Sequence, residues 1–553
     1  MSARTSVTGP PVAPAAGDRP AGPREWAALA VLVLAVVLLS VDSTVLTLAV
    51  PALTGDLSPT AGQVLWIGDV YGFLLAGLLV LMGGLADRFG RKRVLLVGTL
   101  AFGVASAVAG IATDPATLIA ARAAQGIAAA TLMPSTLSLI RNLFPVARQR
   151  TRAIALWSAG ASGGAVLGPL VGGVLLQHFW WGSVFLVNLP VVAVLLVGGW
   201  FLLPESRDPR PGRLDVLGAA QSVVAVLTVV FAVKEVAGHG LTPVAGATAV
   251  LGVLVAASFV RRQRRIASPL VDVRLFANRA FAGALATQLI ALTALTGLLF
   301  FFSQYLQLVR GSTPLQAGLQ ELPLMLAALG VLVVVPPLVA GLGLGRAVGS
   351  GLWLSALGML ALAGAEGMPG YVWLVPALLA VGAGFGIAFT LSTDAAVGAV
   401  EPHRAGTASA LSETSYELGA ALGIAVLGSL QTVLYRAHLP EGLGGAVRES
   451  LARADSVLGD GEVLATARES FTWAMQVTSI GAAVILAVAA ATAWRVIPSP
   501  RTGGPPGGRG SGSGRDRQRG ATRKAGQPSA ASHAVEVDAS HAVTVPGPTS
   551  PRG

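Results

Sequence analysis

Fourteen apolar stretches, each near the ~20 residues an α-helix needs to cross lipid, follow one another along this chain. They lie near 26–49, 63–85, 94–112, 117–140, 153–177, 183–203, 214–234, 243–260, 280–305, 316–340, 347–365, 371–393, 405–430 and 472–496. No other feature constrains the fold as tightly. Backbone polar groups in hydrocarbon must be satisfied within the chain, so the expected fold class is an all-α polytopic membrane protein. Composition agrees: 53% of residues are hydrophobic and 12% charged, against about 25% charged in soluble domains. The first stretch is too long for a signal-peptide core and precedes many more spans, so it is retained.

Charge placement sets the expected orientation. The loops after spans 2, 4, 6, 8, 10 and 12 hold nineteen Lys and Arg, in segments such as DRFGRKR and RNLFPVARQRTR. The opposite loops hold five: Arg310, Arg436, Arg448, Arg453 and Arg468. Basic loops stay cytoplasmic, so both termini are expected inside a cell membrane. The net charge of +11 is then largely topological, and nucleic acid is not an expected partner. Residues 1–25 and 498–553, rich in Pro and Gly, read as disordered cytoplasmic tails. The long outer loop 431–471, with Glu441, Glu449, Asp455, Asp460, Glu462 and Glu469, reads as a solvated linker. Cysteine is absent, which excludes disulfides and thiolate metal sites. The six histidines lack metal-ligand spacing. No G-x-x-x-x-G-K-[ST] or H-E-x-x-H string occurs, so neither ATP drive nor a metalloenzyme is expected, and no cofactor.

The charges inside the spans carry the chemistry. Asp42 lies in span 1, Asp69 in span 2 (WIGDVYG), Arg122 in span 4, and Glu413 and Glu417 in span 13. A charge at mid-bilayer costs about 2.5–3.5 kcal/mol on insertion scales and needs a partner or water. Counted from the outer ends of their spans, Asp42, Asp69 and Arg122 each lie roughly 8–10 Å deep at 1.5 Å per residue. Three ionisable groups at one depth predict a shared polar chamber. Arg122 neutralises one carboxylate, and Asp69 is the expected spare, free to hold a proton or a cationic ligand. Glu413 and Glu417, four apart, share one helix face. They repel when both are ionised, a tension that a bound proton or cation relieves. Lys234 and Glu235 close span 7, where snorkelling accounts for them. Glu321 and Asp394, near span ends, are expected to face the interface. Phe300, Phe301, Phe302 and Tyr305 form an expected outer aromatic belt.

Two further strings exceed what topology needs. GGLADRFGRKR, in the loop after span 2, combines Gly83 and Gly90, which permit close approach and a sharp turn, with Asp87, Arg88 and Arg91. An acid at a helix end among cations forms a breakable latch. In GAVLGPLVGG of span 5, Gly160, Gly164, Gly168 and Gly172 recur every four residues beside Pro169 and Gly173. Small residues at this spacing let membrane helices pack closely, and proline adds a bend.

These strings resemble a known family. GGLADRFGRKR resembles the loop 2–3 signature of the major facilitator superfamily. LIAARAAQGIAAA, with Arg122, Gln125 and Gly126, is similar to its span 4 motif, and GAVLGPLVGG to the span 5 motif of its antiporters. Fourteen spans with VDSTVLTLAVP in span 1 resemble the fourteen-helix drug:proton antiporter branch. WIGDVYGFLLAG and SETSYELGAALGIAVLGS look most like its quaternary-ammonium and biocide exporters. The branch has asparagine where this chain has Thr47, and the second-half loop AGLGLGRAVGSG lacks the latch aspartate.

The resemblance implies a six-helix bundle over 26–203, two inserted helices over 214–260 and a second six-helix bundle over 280–497, around a central cavity. It implies proton-coupled export of hydrophobic, cationic drugs by a monomer through alternating access. Asp42, Asp69 and Arg122 would serve proton coupling and cation recognition, Glu413 and Glu417 the substrate cavity, and Asp87 the gating latch. An exporter of one endogenous metabolite or antibiotic is the nearest alternative, and the Ala, Gly and Arg bias suits a high-GC bacterium. An importer is disfavoured by the span 5 glycines. A non-transporting sensor or scaffold is disfavoured because the tails hold no folded domain.

Overall fold

The computed structural model describes residues 21–208, 214–266, 269–401, 405–458 and 461–497. Of the expected tails, residues 1–20 and 498–553 lie outside the described residues, whereas Pro23, Arg24 and Glu25 already belong to the first helix, which proline at its start and Glu25 in its first turn favour. Fourteen helices are long and apolar enough to cross a membrane. We number them α1 (Pro23–Leu57), α2 (Ala61–Phe89), α3 (Arg91–Gly110), α4 (Pro115–Leu143), α5 (Arg148–His178), α6 (Ser183–Leu202) and α7 (Val216–His239). The rest are α8 (Pro243–Gln263), α9 (Arg279–Val309), α10 (Pro314–Val333), α11 (Leu344–Glu366), α12 (Leu374–Gly398), α13 (Ala408–His438) and α14 (Glu462–Val496). No strand occurs among the described residues. The connections after odd-numbered helices define one face of the molecule and those after even-numbered helices the other.

Span 10 of the sequence reading is interrupted. Its α-helix passes through a 3-10 turn at Val331–Val333, and a separate short helix runs over Val335–Leu342. Pro336 and Pro337, which cannot donate to a preceding turn, account for the break.

Helix pairing separates two sets. Within the first, α1 packs on α5, α2 on α4, α3 on α4 and α6; within the second, α11 packs on α12 and α14, and α10 on α12. The glycines of α5 set the closest approach. A Cβ at Gly164 would lie 3.0 Å from the Val37 carbonyl oxygen, and one at Gly168 would overlap the Thr44 hydroxyl. The sets meet where α5 crosses α10 and α2 crosses α13. Cβ atoms would come within 2.7 Å of Leu315 Cα at Gly173 and 3.0 Å of Ala421 Cβ at Gly72. Toward the odd face, Gln307 Nε2 donates to the Leu48 carbonyl at 3.2 Å.

The inserted pair is unequal. α7 packs against α2 and α13, whereas α8 packs chiefly on α7 and is mostly exposed. Asp215, the N-cap of α7, ties the pair together by accepting from Arg262 Nη2 at 2.8 Å and Gln263 Nε2 at 2.8 Å. Burial alone would raise the Asp215 carboxyl. Hydrogen bonds from Arg262, the Gly218 amide and Gln263, with the Arg262 charge, outweigh it and hold the carboxyl below the usual range.

Three expectations need correction. The α13–α14 connection is not a solvated linker over its described part: it forms helices Gly445–Glu449 and Leu451–Val457, with Val447, Leu451 and Ala454 buried. Glu449 Oε1 accepts from the Ala61 amide at 2.6 Å, so the loop caps the start of α2. Asp460 lies outside the described residues. Phe300, Phe302 and Tyr305 are fully buried rather than forming a belt, because their helix runs through the middle of the second set. Glu321 is likewise buried, its carboxyl beside Ser303, not at the interface. Asp394 is exposed near the even-face end of α12.

A Gly168→Leu substitution would overpack the α1–α5 contact at a cost of about 1–3 kcal/mol. The expected outcome is a lower unfolding midpoint in detergent with the span count unchanged; an unaltered midpoint contradicts the packing role.

Candidate functional site

Asp42 and Arg122 face each other across α1 and α4. Arg122 Nη1 donates to Asp42 Oδ2 at 2.8 Å and to Gln125 Oε1 at 3.0 Å, and both charges are almost fully buried. Asn188 Nδ2 of α6 donates to Asp42 Oδ1 at 2.7 Å, and Gln125 Nε2 donates to Ser106 Oγ of α3 at 2.8 Å. The guanidinium lies over the Tyr71 ring at 4.5 Å. A Cβ at Gly126 would come 2.5 Å from the Tyr71 carbonyl oxygen, so only glycine lets α2 approach this network. The set therefore binds five helices, and both carboxylate oxygens of Asp42 are occupied. Sequence reasoning found Asp42, Arg122 and Gln125. It missed Ser106 and Asn188, which are ordinary polar residues in apolar spans with no spacing that marks them.

Asp69 is not spare, which corrects the expectation of two acids to one base. Lys234 Nζ of α7 lies 2.9 Å from Asp69 Oδ1 and 2.7 Å from Oδ2. The same ammonium sits 3.8 Å from the centroid of the Trp66 ring, one turn before Asp69. Lys234 does not snorkel. α7 continues to His239, five residues beyond the span end read from sequence, and this places the lysine inside the helix.

Glu413 and Glu417 share a face of α13 and are partly exposed while their neighbours Leu411 and Ala421 are buried. Neither makes an ion pair among the described residues. Tyr416 stands between them and packs edge-on against Phe389 of α12 at 5.4 Å, which in turn stacks on Phe385 at 5.5 Å. Tyr416 is thus the aromatic between the two acids in sequence, and Phe389 and Phe385 extend from it across α12. Tyr71 lies under the Arg122 guanidinium, and the next residue, Gly72, meets the Glu417 backbone, so α2 connects the α4 network to the helix of the α13 pair. Past Glu417 the helix takes a π-turn over Gly423–Leu427 where it meets Gly68 of α2. Such turns recur at functional sites.

The Major Facilitator Superfamily model matches residues 32–424. The chain belongs to the major facilitator superfamily. It is accordingly a transporter and not an enzyme, a multi-pass membrane protein with bacterial relatives. It is 42% identical to the multidrug efflux pump LfrA of Mycolicibacterium smegmatis, over 85% of this chain and 95% of that protein. It is 35% identical to the methyl viologen resistance protein SmvA of Salmonella typhimurium, over 85% and 98%. It is 33% identical to the puromycin resistance protein pur8 of Streptomyces alboniger, over 80% and 88%. A bacterial homologue of the human lysosomal transporter Spinster, solved inward-facing and unoccupied, shares the fold with a TM-score of 0.62 at 18% identity, over 86% of this chain and 97% of that one.

Two family motifs of this transporter lie away from the buried acids. Asp87 Oδ1 accepts from Arg91 Nη2 at 2.7 Å and Nε at 2.9 Å, across the Gly90 turn between α2 and α3. Gly90 has φ 110°, and a Cβ there would lie 2.6 Å from Glu205 Oε1. The Arg91 amide donates to the Ser206 carbonyl at 2.8 Å. These contacts fasten the α2–α3 turn to the segment leaving α6, all within the first helix set. Arg88 is exposed. The span 5 motif holds α5 on α1 through Gly164, Gly168 and Gly172, and on α10 through Pro169 and Gly173.

Removing one partner of a buried pair costs about 3–5 kcal/mol, because the other charge is stranded. Arg122→Gln is expected to lower the unfolding midpoint sharply, and Asp42→Asn in the same chain to restore part of it. Equal or greater loss in the double variant, by detergent melting, contradicts a direct pair.

Proposed function

We propose that this transporter exports hydrophobic, mainly cationic compounds from the cell in exchange for protons, by alternating access. The observation that carries the reading is the α13 pair. Glu413 and Glu417 are partly exposed in mid-helix, with Tyr416 between them in sequence, and have no cationic partner among the described residues. A carboxylate pair at membrane depth needs a proton, a cation or water beside it. Aromatic faces beside the acids favour an organic cation over a hydrated metal ion. A proton and a substrate cation then compete for the same acids, and inward protons displace the substrate outward.

The relatives support export of such compounds. One is named a multidrug efflux pump, and another is named for resistance to methyl viologen, which is a dication. The basic loops assign the even face to the cytoplasm. The helix sets meet where α5 crosses α10 and where α2 crosses α13, and alternating access requires these contacts to part as the drug leaves. The Asp42–Arg122 network ties α1, α3, α4 and α6 into one unit that moves together. The Asp87–Arg91 turn acts as the cytoplasmic latch. A dedicated exporter of an endogenous antibiotic is the second reading, favoured by relatives named for puromycin resistance and actinorhodin transport.

The test is efflux from proteoliposomes under an imposed proton gradient, with ethidium, methyl viologen and puromycin as substrates. Gradient-dependent efflux of both cations is expected, with loss of about 100-fold or more in Glu417→Gln, the scale of a few kcal/mol at 1.4 kcal/mol per tenfold. Efflux of puromycin alone supports the second reading. Efflux that ignores the gradient, or survives Glu417→Gln unchanged, overturns the proposal.

A further inference from the structure

We propose that Lys234 is a built-in counter-cation: it occupies a cation subsite made by Asp69 and Trp66, and an organic cation binds there by displacing it. The proposal rests on the export reading above and adds a second cation site, together with a role for the inserted helix α7.

The groups around the Lys234 ammonium are those that recognise organic cations. A carboxylate meets it at 2.7 and 2.9 Å, and an indole face at 3.8 Å. An aromatic face attracts an ammonium, most strongly when it is desolvated, and here both charges are almost fully buried. The subsite is thus already filled by a cation of the chain's own.

The source of that cation is unusual. Much of α7 is lipid-facing, with Val224, Val229 and Phe231 exposed. A lysine on such a helix ordinarily extends toward the boundary. Lys234 turns the other way, into the seam between α2 and α13. Close packing holds it there. A Cβ at Gly77 of α2 would lie 2.6 Å from Val223 of α7, and Val230 joins Phe73, Ala421 and Ala425 in one apolar cluster.

Energetics favour exchange over opening. Stripping a buried carboxylate of its only cation costs several kcal/mol. Replacing one cation by another keeps the carboxylate paired, so an incoming organic cation need only outbid the ammonium. Asp69 lies one turn from Gly72, where Ala421 and the Glu417 backbone of α13 approach α2. The subsite is therefore one turn from the point where the α13 backbone that carries Glu417 meets α2. Release of Lys234 loosens α7 from the α2–α13 crossing, so occupancy is felt at the junction of the two helix sets.

The experiment measures equilibrium binding of radiolabelled tetraphenylphosphonium to the full-length protein in nanodiscs. If the ammonium leaves the site open about a tenth of the time, its removal raises apparent affinity about tenfold. Lys234→Met is expected to bind about tenfold more tightly, and the gain is expected to vanish in Lys234→Met/Asp69→Asn. Lys234→Arg, which keeps the charge and pairs in a bidentate manner, is expected to bind several-fold more weakly than the unaltered protein. Lys234→Met that binds no better than the unaltered protein overturns the proposal, as does a gain that persists without Asp69. Should Lys234→Met fail to fold, a Lys234→Arg affinity equal to the unaltered one overturns it. No binding by the unaltered protein overturns the export reading, and this inference with it; binding there with no response to Lys234 overturns this inference alone.

Discussion

A carboxylate in hydrocarbon must have a cation, a proton or water beside it, and most of this structure follows from how three acidic sites meet that demand. Asp42 is answered by Arg122, with Gln125 and Asn188 completing its oxygens. Asp69 is answered by Lys234. Glu413 and Glu417 are answered by neither, and they alone of these acids are partly exposed. Two of these three sites are thus fixed pairs and one is an unfixed pair. The fixed pairs hold helices in register, and the unfixed pair is left with exchangeable chemistry.

α2 is where these demands converge. It carries Trp66 and Asp69 toward α7, Tyr71 beneath the Arg122 guanidinium, Gly72 against α13, and Asp87 at the turn into α3. Small residues make this possible. Tyr71 approaches α4 only because residue 126 is glycine, and α13 approaches α2 because residue 72 is. Close backbone contact between helices makes each crossing a packed unit, which is displaced as a whole rather than stretched.

Much of this was legible in the sequence. The fourteen spans follow from apolar length, a local property, and the depth count brings Asp42 to Arg122 but not Asp69, whose partner is on α7. Lys234 was not legible. Its partner is 165 residues away, and ending span 7 at residue 234 made it a boundary residue when α7 runs on to His239. Five residues, about 7.5 Å of helix, separated a snorkelling lysine from a buried one. The aromatics near the α13 acids are hidden in the sequence for a related reason. Phe300, Phe302 and Tyr305 stand out as a run, but a run covers every face of a helix and here is core. Phe385, Phe389 and Tyr416 are scattered in sequence and meet only across α12 and α13. The α13–α14 loop reads as solvated because its acids are numerous, yet Val447, Leu451 and Ala454, four and three residues apart, are buried on its two short helices.

The central claim is that protons and organic cations compete for the Glu413–Glu417 pair. Its most direct test is proton release on ligand binding by purified protein in weakly buffered detergent solution, with tetraphenylphosphonium added and pH recorded. The account predicts release of about one proton per cation bound, lost when both glutamates are replaced by glutamine. Saturable binding with no proton release from the unaltered protein would contradict it.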